Sequence, residues 1–179
     1  MELDRLEKNL YDNILEAQVK LGYEGRPMSL NYTFSSLCHL TGAEKDKLEQ
    51  TLSEFAEKVS PIFGDITFHT INGGYCITVP KEGTAYVYND SDGKEFIRAF
   101  IGLIRSHPSM EEVIGLFREY SDNVAVIDMV NDEFDKLVYF TDGKPDDYRY
   151  CLASEEEIDG STHITYHRFI KEDYDELGF

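Results

Sequence analysis

The chain has 179 residues, of which 41% are apolar and 13% aromatic. A chain of this size is expected to fold as one domain or as two small ones, with a core that needs no disulfide or metal. It carries 35 acidic and 17 basic residues, a formal net charge of −18. Such a charge repels phosphate backbones and anionic membranes, which argues against nucleic acids and membranes as partners.

The acidic residues are unevenly distributed along the chain. Residues 1–80 hold 12 acidic and 7 basic residues, a net charge of −5, whereas residues 81–179 hold 23 and 10, a net charge of −13. Solubility is the simplest explanation of an acidic excess. The second explanation is recognition of a cationic partner, which a strongly acidic surface attracts.

The cysteines and the N-terminus indicate the compartment. Cys38, Cys76 and Cys151 are odd in number and widely spaced, which favours free thiols in a reducing cytosol. The chain is charged from Glu2 onward and begins with no apolar leader. Its longest strongly apolar stretch, residues 96–104, is too short to span a bilayer. We therefore expect a cytoplasmic protein that does not enter membranes.

The first half of the chain begins with helices and ends with a β-hairpin. Apolar residues recur at spacings of three and four in the helices, and Asn72-Gly73 between alternating apolar runs is a strong hairpin signal. The predicted elements are a helix over 2–22, a short strand over 28–32, a brief helix that Thr33 or Ser35 caps and Thr41-Gly42 ends, a longer helix over 43–60 that Pro61 closes, and strands over 65–71 and 75–79.

This order of elements resembles a winged helix-turn-helix domain over residues 1–80, with the Gly73-Gly74 hairpin as the wing. The resemblance implies DNA binding, which requires basic residues on the recognition helix and the wing. The predicted recognition helix, residues 43–60, has three lysines (Lys45, Lys47 and Lys58) against five acidic residues, and residues 65–79 contain neither Lys nor Arg. Because the electrostatic attraction to phosphate is missing, we expect a winged helix used for protein docking or as a structural unit.

The second half of the chain contains helices followed by strands. Residues 80–92 read as a linker or an extended segment in which Tyr86-Val87-Tyr88 pairs with the wing. The other predicted elements are a buried helix over 94–106 that Asp92 caps, a helix opened by Pro108 and the capping box Ser109-x-x-Glu112, strands over 124–130, 137–141, 148–152 and 163–170 with a turn at 142–145, an acidic loop over 155–160, and a final helical turn over 172–177.

Two histidines were considered as metal ligands. His163 and His167 are four residues apart in a predicted strand, so they share a face but lie roughly 13 Å apart, at ~3.3 Å per residue. That distance excludes a shared metal, and pairing with strand neighbours or the acidic loop is favoured. Asp90-Ser91-Asp92-Gly93 is similar to part of an EF-hand loop, but Ala99 stands where the bidentate carboxylate belongs.

Catalytic motifs are absent from the sequence. A contact between Cys151 and His163 or His167 is geometrically possible across neighbouring strands, but a buried structural thiol is the favoured interpretation. The chain has no Gly-x-Ser-x-Gly elbow and no phosphate-binding glycine loop. We therefore assign no catalytic residue, no cofactor-binding residue, no metal ligand and no cofactor.

The whole chain also resembles an uncharacterised bacterial family, a domain of unknown function of about this length. The resemblance rests on Leu21-Gly-Tyr at the end of the first helix and on Ile164-Thr-Tyr-His-Arg-Phe169 near the C-terminus. It implies no activity and carries over no functional residue.

The sequence thus predicts an α+β protein. A winged-helix-like region, residues 1–80, is expected to pack on an acidic α+β region, residues 81–179, with two helices and an antiparallel sheet of three or four strands. No flexible linker separates them, so one compact unit is also compatible. The leading functional hypothesis is a non-enzymatic interaction module with a protein partner, in particular a basic one. The alternatives are a ligand-sensing winged-helix regulator, which uses a basic patch of Lys20, Arg26, Lys45, Lys47 and Lys58, and a hydrolase with an acidic site. Homodimerisation is left open.

Overall fold

The computed structural model of the protein describes residues 3–90 and 95–179. The chain divides into two compact units, Met1–Asp92 (unit 1) and Gly93–Phe179 (unit 2). Within the described residues there are seven α-helices and two antiparallel sheets, which confirms the α+β class. None of the helices in these two ranges has the length and apolar character needed to span a bilayer.

Unit 1 has its elements in the order predicted for a winged helix-turn-helix. Its sheet has the order β1-β3-β2, with both pairs antiparallel. The elements are α1 (Leu3–Leu21), β1 (Met28–Thr33), α2 (Phe34–Thr41), a 3₁₀ turn (Lys45–Lys47), α3 (Leu48–Phe63), β2 (Thr67–Ile71), β3 (Gly74–Val79) and α4 (Lys81–Asn89).

Local signals account for the ends of several elements. Thr33, rather than Ser35, caps α2, and its side chain accepts a hydrogen bond from the Ser36 amide at 3.0 Å. Gly42 ends the same helix with a left-handed φ of 67°. The β2–β3 hairpin turns through Asn72 and Gly73, as their sequence predicts.

The longer helix of unit 1 runs through Pro61, which the sequence analysis placed at its end. It reaches Phe63, and Gly64 then ends it by donating its amide to the Ser60 carbonyl at 2.9 Å. Pro61 removes one helical hydrogen bond on an exposed turn. Burial of Phe63, which is only 1% exposed, compensates for that loss and carries the helix past the proline.

Residues 81–89 form α4, and the prediction of a linker or an extended segment was wrong. Val87 is fully buried, and the Tyr86 ring packs edge-on against Phe63 with 5.8 Å between ring centroids. A Cβ atom on Gly83 would lie 2.5 Å from the Phe63 carbonyl oxygen, so the helix approaches the end of α3 closely. These contacts override the strand propensity of Tyr86-Val87-Tyr88. The segment also does not pair with the wing, since β1 and β2 flank β3.

Unit 2 contains helices and one four-stranded antiparallel sheet in the order β4-β5-β6-β7. Its elements are α5 (Glu95–Ile104), α6 (Met110–Tyr120), β4 (Val124–Asp128), β5 (Lys136–Phe140), β6 (Arg149–Glu156), β7 (Thr162–Phe169) and α7 (Lys171–Leu177). The predicted capping box is confirmed, because Ser109 and Glu112 exchange hydrogen bonds with each other's backbone amides.

The two faces of this sheet are packed differently. Val138 lies opposite Tyr150 on one face, where Phe96, Phe100 and Phe117 of α5 and α6 form a cluster of aromatic rings with it. The other face carries a smaller cluster of Phe134, Leu137 and Cys151 with Tyr174 of α7 packed against it. Helix α5 is less enclosed than predicted, since Arg98 and Gly102 are exposed.

Candidate functional site

The β6–β7 hairpin carries most of the acidic segment that the sequence analysis singled out. Glu155 lies opposite His163, and Glu156 lies opposite Thr162, in the strand ladder. The predicted acidic loop over 155–160 is therefore shorter than expected, because both glutamates belong to β6. The strand hydrogen bonds fix the direction in which the tip of the hairpin projects.

The turn that closes this hairpin is held by several hydrogen bonds. The Glu157 amide donates to the Ser161 carbonyl at 2.8 Å, and the Gly160 amide donates to the Glu157 carbonyl at 2.9 Å. Asp159 accepts from the Ser161 amide at 2.9 Å and from its hydroxyl at 2.6 Å. These two Ser161 hydrogen bonds lower the pKa of the Asp159 carboxyl. The turn is therefore well defined although it is exposed.

The tip presents four carboxylates around one apolar side chain. Glu155, Glu156, Glu157 and Asp159 are exposed, and Ile158 between them is fully exposed at 108%. Within the described residues, none of these four carboxylates forms an ion pair with a lysine or arginine. We call residues 155–159 the acidic tip. An apolar anchor with a charged rim is an arrangement that protein interfaces use.

His163 lies beside the acidic tip. Its Nε2 is 3.4 Å from a Glu155 carboxylate oxygen, and its Nδ1 is 3.2 Å from one of Glu157. This confirms the expected pairing of His163 with a strand neighbour and the acidic segment. The ring of His107, a residue with a left-handed φ of 55°, lies 6.5 Å from the His163 ring. No group of three metal-ligand side chains occurs in residues 3–90 and 95–179.

His167 has different surroundings from His163. It lies opposite Cys151 in the β6–β7 ladder, and its ring stacks on Phe169 with 4.4 Å between centroids. Cys151 is fully buried, and burial, with a smaller effect of Glu133, raises the pKa of its thiol to about 11. The thiol is thus protonated at neutral pH, which disfavours a nucleophilic role.

The basic residues of unit 1 are engaged by acidic groups or rings. Lys47 pairs with Glu44 at 3.0 Å, and Lys58 pairs with Asp4 and with Glu7. Hydrogen bonds from these carboxylates raise the pKa of both lysines. The remaining members of the hypothetical DNA-binding patch behave similarly: Lys45 lies over the Phe34 ring, Lys20 pairs with Glu16, and Arg26 pairs with Glu24.

Comparison with known families places the chain in one of them. The model of DUF3877, a domain of unknown function whose description refers to an E. rectale gene, matches residues 3–178. The chain belongs to the DUF3877 family. This membership confirms the predicted resemblance to an uncharacterised domain family. No curated protein and no solved structure matches this DUF3877 chain.

One polar network in this DUF3877 chain was not predicted from the sequence. The hydroxyl of Tyr150, which is fully buried, donates to an Asp146 carboxylate oxygen at 2.6 Å. Burial and the nearby Asp146 charge raise the pKa of Tyr150, while Arg168 opposes the shift. The Arg168 guanidinium lies over the Tyr148 ring at 4.3 Å. The sequence gave no signal for this network, because Asp146-Asp147 reads as a solvated acidic pair.

The partial EF-hand segment falls mostly outside the described residues. Asp90 follows α4, where its amide donates to the Tyr86 carbonyl at 2.9 Å. Its carbonyl accepts a hydrogen bond from the Tyr11 hydroxyl at 3.4 Å. The predicted helix cap at Asp92 and the start of the helix at Lys94 lie outside the described ranges.

Proposed function

We propose that this protein is an interaction module whose acidic tip binds a basic protein surface. The observation that carries the proposal is Ile158, which is fully exposed at the apex of an ordered turn. Exposing an isoleucine to water is unfavourable, and a partner that covers it gains roughly 2 kcal/mol from its burial. The surrounding carboxylates select a partner with lysine or arginine beside an apolar pocket.

Rigidity supports this proposal. The acidic tip is connected to β6 and β7 by a continuous ladder from Arg149–Phe169 to Glu156–Thr162. A preorganised hairpin loses less conformational freedom on binding than a flexible acidic tail does. The tip therefore differs from a solvated acidic run, whose charges attract cations without defining one geometry.

The test uses a fluorescent lysine-rich peptide that contains a central leucine, with binding followed by anisotropy at low salt. The hairpin variant is Glu155→Gln/Glu156→Gln/Glu157→Gln. The matched control is Glu111→Gln/Glu119→Gln/Asp132→Asn, which removes the same number of exposed acidic charges elsewhere in unit 2. We expect the hairpin variant to bind at least about tenfold more weakly and the control to bind within about twofold of the wild type.

A second pair of measurements tests the role of the isoleucine. Ile158→Ser should weaken binding of the leucine peptide but leave binding of a leucine-to-serine peptide unchanged. Added salt should weaken both complexes, because screening reduces the attraction between opposite charges. Equal losses in the hairpin variant and in the charge-matched control would overturn the proposal, since binding would then follow net charge alone.

The order of elements in unit 1 favours a second candidate, a winged-helix regulator. Against it stand the contacts of Lys45, Lys47 and Lys58, whose charges would have to leave carboxylate or ring partners before meeting phosphate. A gel-shift assay with random DNA duplexes at low salt tests this candidate. Retarded DNA that is released by Lys47→Ala or Lys58→Ala would favour it over protein docking.

A further inference from the structure

We infer that the protein forms a symmetric dimer in which the β4 edges of two copies pair in antiparallel fashion and join their sheets. Strand β4 is an edge strand, because the sheet order is β4-β5-β6-β7. An edge strand presents main-chain amides and carbonyls that can bind another strand. The inference concerns a different surface from the acidic tip and does not depend on the proposed function.

The hydrogen bonds of β4 identify which residues point outward. The Thr141 amide donates to the Asn123 carbonyl at 2.8 Å, and the Met129 amide donates to the Asp135 carbonyl at 2.9 Å. Because inward-pointing and outward-pointing residues alternate along an antiparallel strand, Val124, Val126 and Asp128 direct their amides and carbonyls away from β5.

These outward groups specify one register. Pairing Val126 with Val126 of the second copy places Val124 opposite Asp128 on either side of the two-fold axis. All three pairs are then of the hydrogen-bonded kind, which gives about six main-chain hydrogen bonds. The two four-stranded sheets would become one continuous sheet across the dimer.

Charge determines why a second copy is the partner of this edge. A chain with a net charge of −18 repels its copies over most of its surface. The edge from Asn123 to Ile127 carries no charge, and Asp128 is paired with Lys136 on β5. In the proposed register the two Asp128 residues lie four residues apart, roughly 13 Å, which exceeds the screening length of about 8 Å at physiological salt.

The opposite edge of the sheet makes the contrast clear. Strand β7 carries His163, His167 and Arg168, and charged side chains on an edge strand discourage pairing with another sheet. Strand β4 has no such protection, and Ile127 near its end is 46% exposed.

Sedimentation velocity over a protein concentration series tests the inference. We expect a species of twice the chain mass of 20.6 kDa, and we expect its dissociation constant to fall as salt is raised, because salt screens the repulsion between two acidic chains. The proposed complex with a basic partner has the opposite salt dependence, so the failure of one proposal is distinguishable from the failure of the other.

Val126→Pro should abolish the dimer. It removes an outward amide while leaving the inward hydrogen bonds of β4 to β5 in place, and proline is tolerated on an edge strand in this orientation. The control Val126→Thr keeps the amide and should remain dimeric. Ile127→Asp, which places like charges near the axis on an exposed side chain, should also give a monomer if Val126→Pro fails to fold. A wild type that is monomeric at all concentrations, or a dimer that persists in folded Val126→Pro and in Ile127→Asp, would overturn the inference.

Discussion

In unit 1 the deeply buried side chains are mainly aliphatic and come from helices, whereas unit 2 is built around a contiguous cluster of aromatic rings. Leu6, Leu10 and Ile14 of α1 are fully buried in the first core. In the second, the Phe117 ring lies within 5.2 Å, between centroids, of Phe96, Phe140 and Tyr150. Both cores exclude water, but the aromatic core concentrates its contacts in fewer and larger side chains.

The surfaces of the two units differ in the same direction. In unit 1, lysines such as Lys8, Lys47 and Lys58 pair with carboxylates close to them. In unit 2, the carboxylates of the acidic tip face solvent around Ile158. An acidic composition therefore has two structural outcomes in one chain, and the uncompensated one marks the candidate interaction surface.

The largest expected effect is on the aromatic core. Phe117→Ala removes a fully buried ring and should lower the free energy of unfolding of unit 2 by about 3–5 kcal/mol, since the surrounding rings cannot collapse into the space. The measurement is chemical denaturation followed by circular dichroism. Leu52→Ala in α3 is the corresponding change in the aliphatic core. A loss below about 1 kcal/mol for Phe117→Ala would contradict the central place of that ring in the packing.

The next effect concerns thiol reactivity. Cys151 is fully buried with a pKa of about 11, whereas Cys38 is only partly buried. Site-resolved alkylation at pH 8 should label Cys151 at least about 100-fold more slowly than Cys38, because its thiolate is scarcer and covered. The difference should disappear in denaturant. Because the raised pKa favours the neutral thiol in the folded state, its contribution to stability is lost as pH rises towards 11.

A matched pair of glycine substitutions compares α4 of unit 1 with α5 of unit 2. A Cβ on Gly83 would meet the Phe63 carbonyl oxygen at 2.5 Å, whereas a Cβ on Gly102 would meet nothing within 4 Å. Gly83→Ala should destabilise the protein by about 1–3 kcal/mol, and Gly102→Ala should stabilise it by about 0.5–1 kcal/mol. Thermal denaturation gives both values. If both substitutions stabilise, α4 does not approach α3 as closely as described.

The smallest effect is expected at the helix caps, where the two units behave alike. Thr33→Ala in unit 1 and Ser109→Ala in unit 2 should each lower the free energy of unfolding by about 1 kcal/mol. The Ser109 amide and hydroxyl also lower the pKa of Glu112. Stability from that interaction is therefore present above the normal glutamate pKa and is lost as pH falls through the lowered value. Glu112→Gln should flatten this part of the acid unfolding curve; an unchanged curve would contradict the capping box.

The sequence predicted elements whose signals are local. The periodicity of α1, the cap at Thr33, the Asn72-Gly73 turn and the Ser109–Glu112 box each depend on a few neighbouring residues. Helix α4 and the passage of α3 through Pro61 depend instead on contacts with distant residues, which local propensity does not contain.

The candidate site follows the same rule. The acidic composition of residues 155–159 was visible in the sequence, and so was the proximity of His163 along the chain. The exposure of Ile158 was not, because an isoleucine in a short acidic segment is equally compatible with a buried strand position. The Asp146–Tyr150 hydrogen bond was also hidden, since it depends on the turn that precedes β6.

The most direct test of the central claim is an amide chemical-shift titration of the ¹⁵N-labelled protein with the lysine-rich leucine peptide. Our account predicts that the largest shifts at low salt cluster in residues 154–163, with much smaller shifts around Glu111, Glu119 and Asp132. Shifts spread evenly over the acidic surface, or centred on α3 of unit 1, would contradict the assignment of the acidic tip as the binding surface.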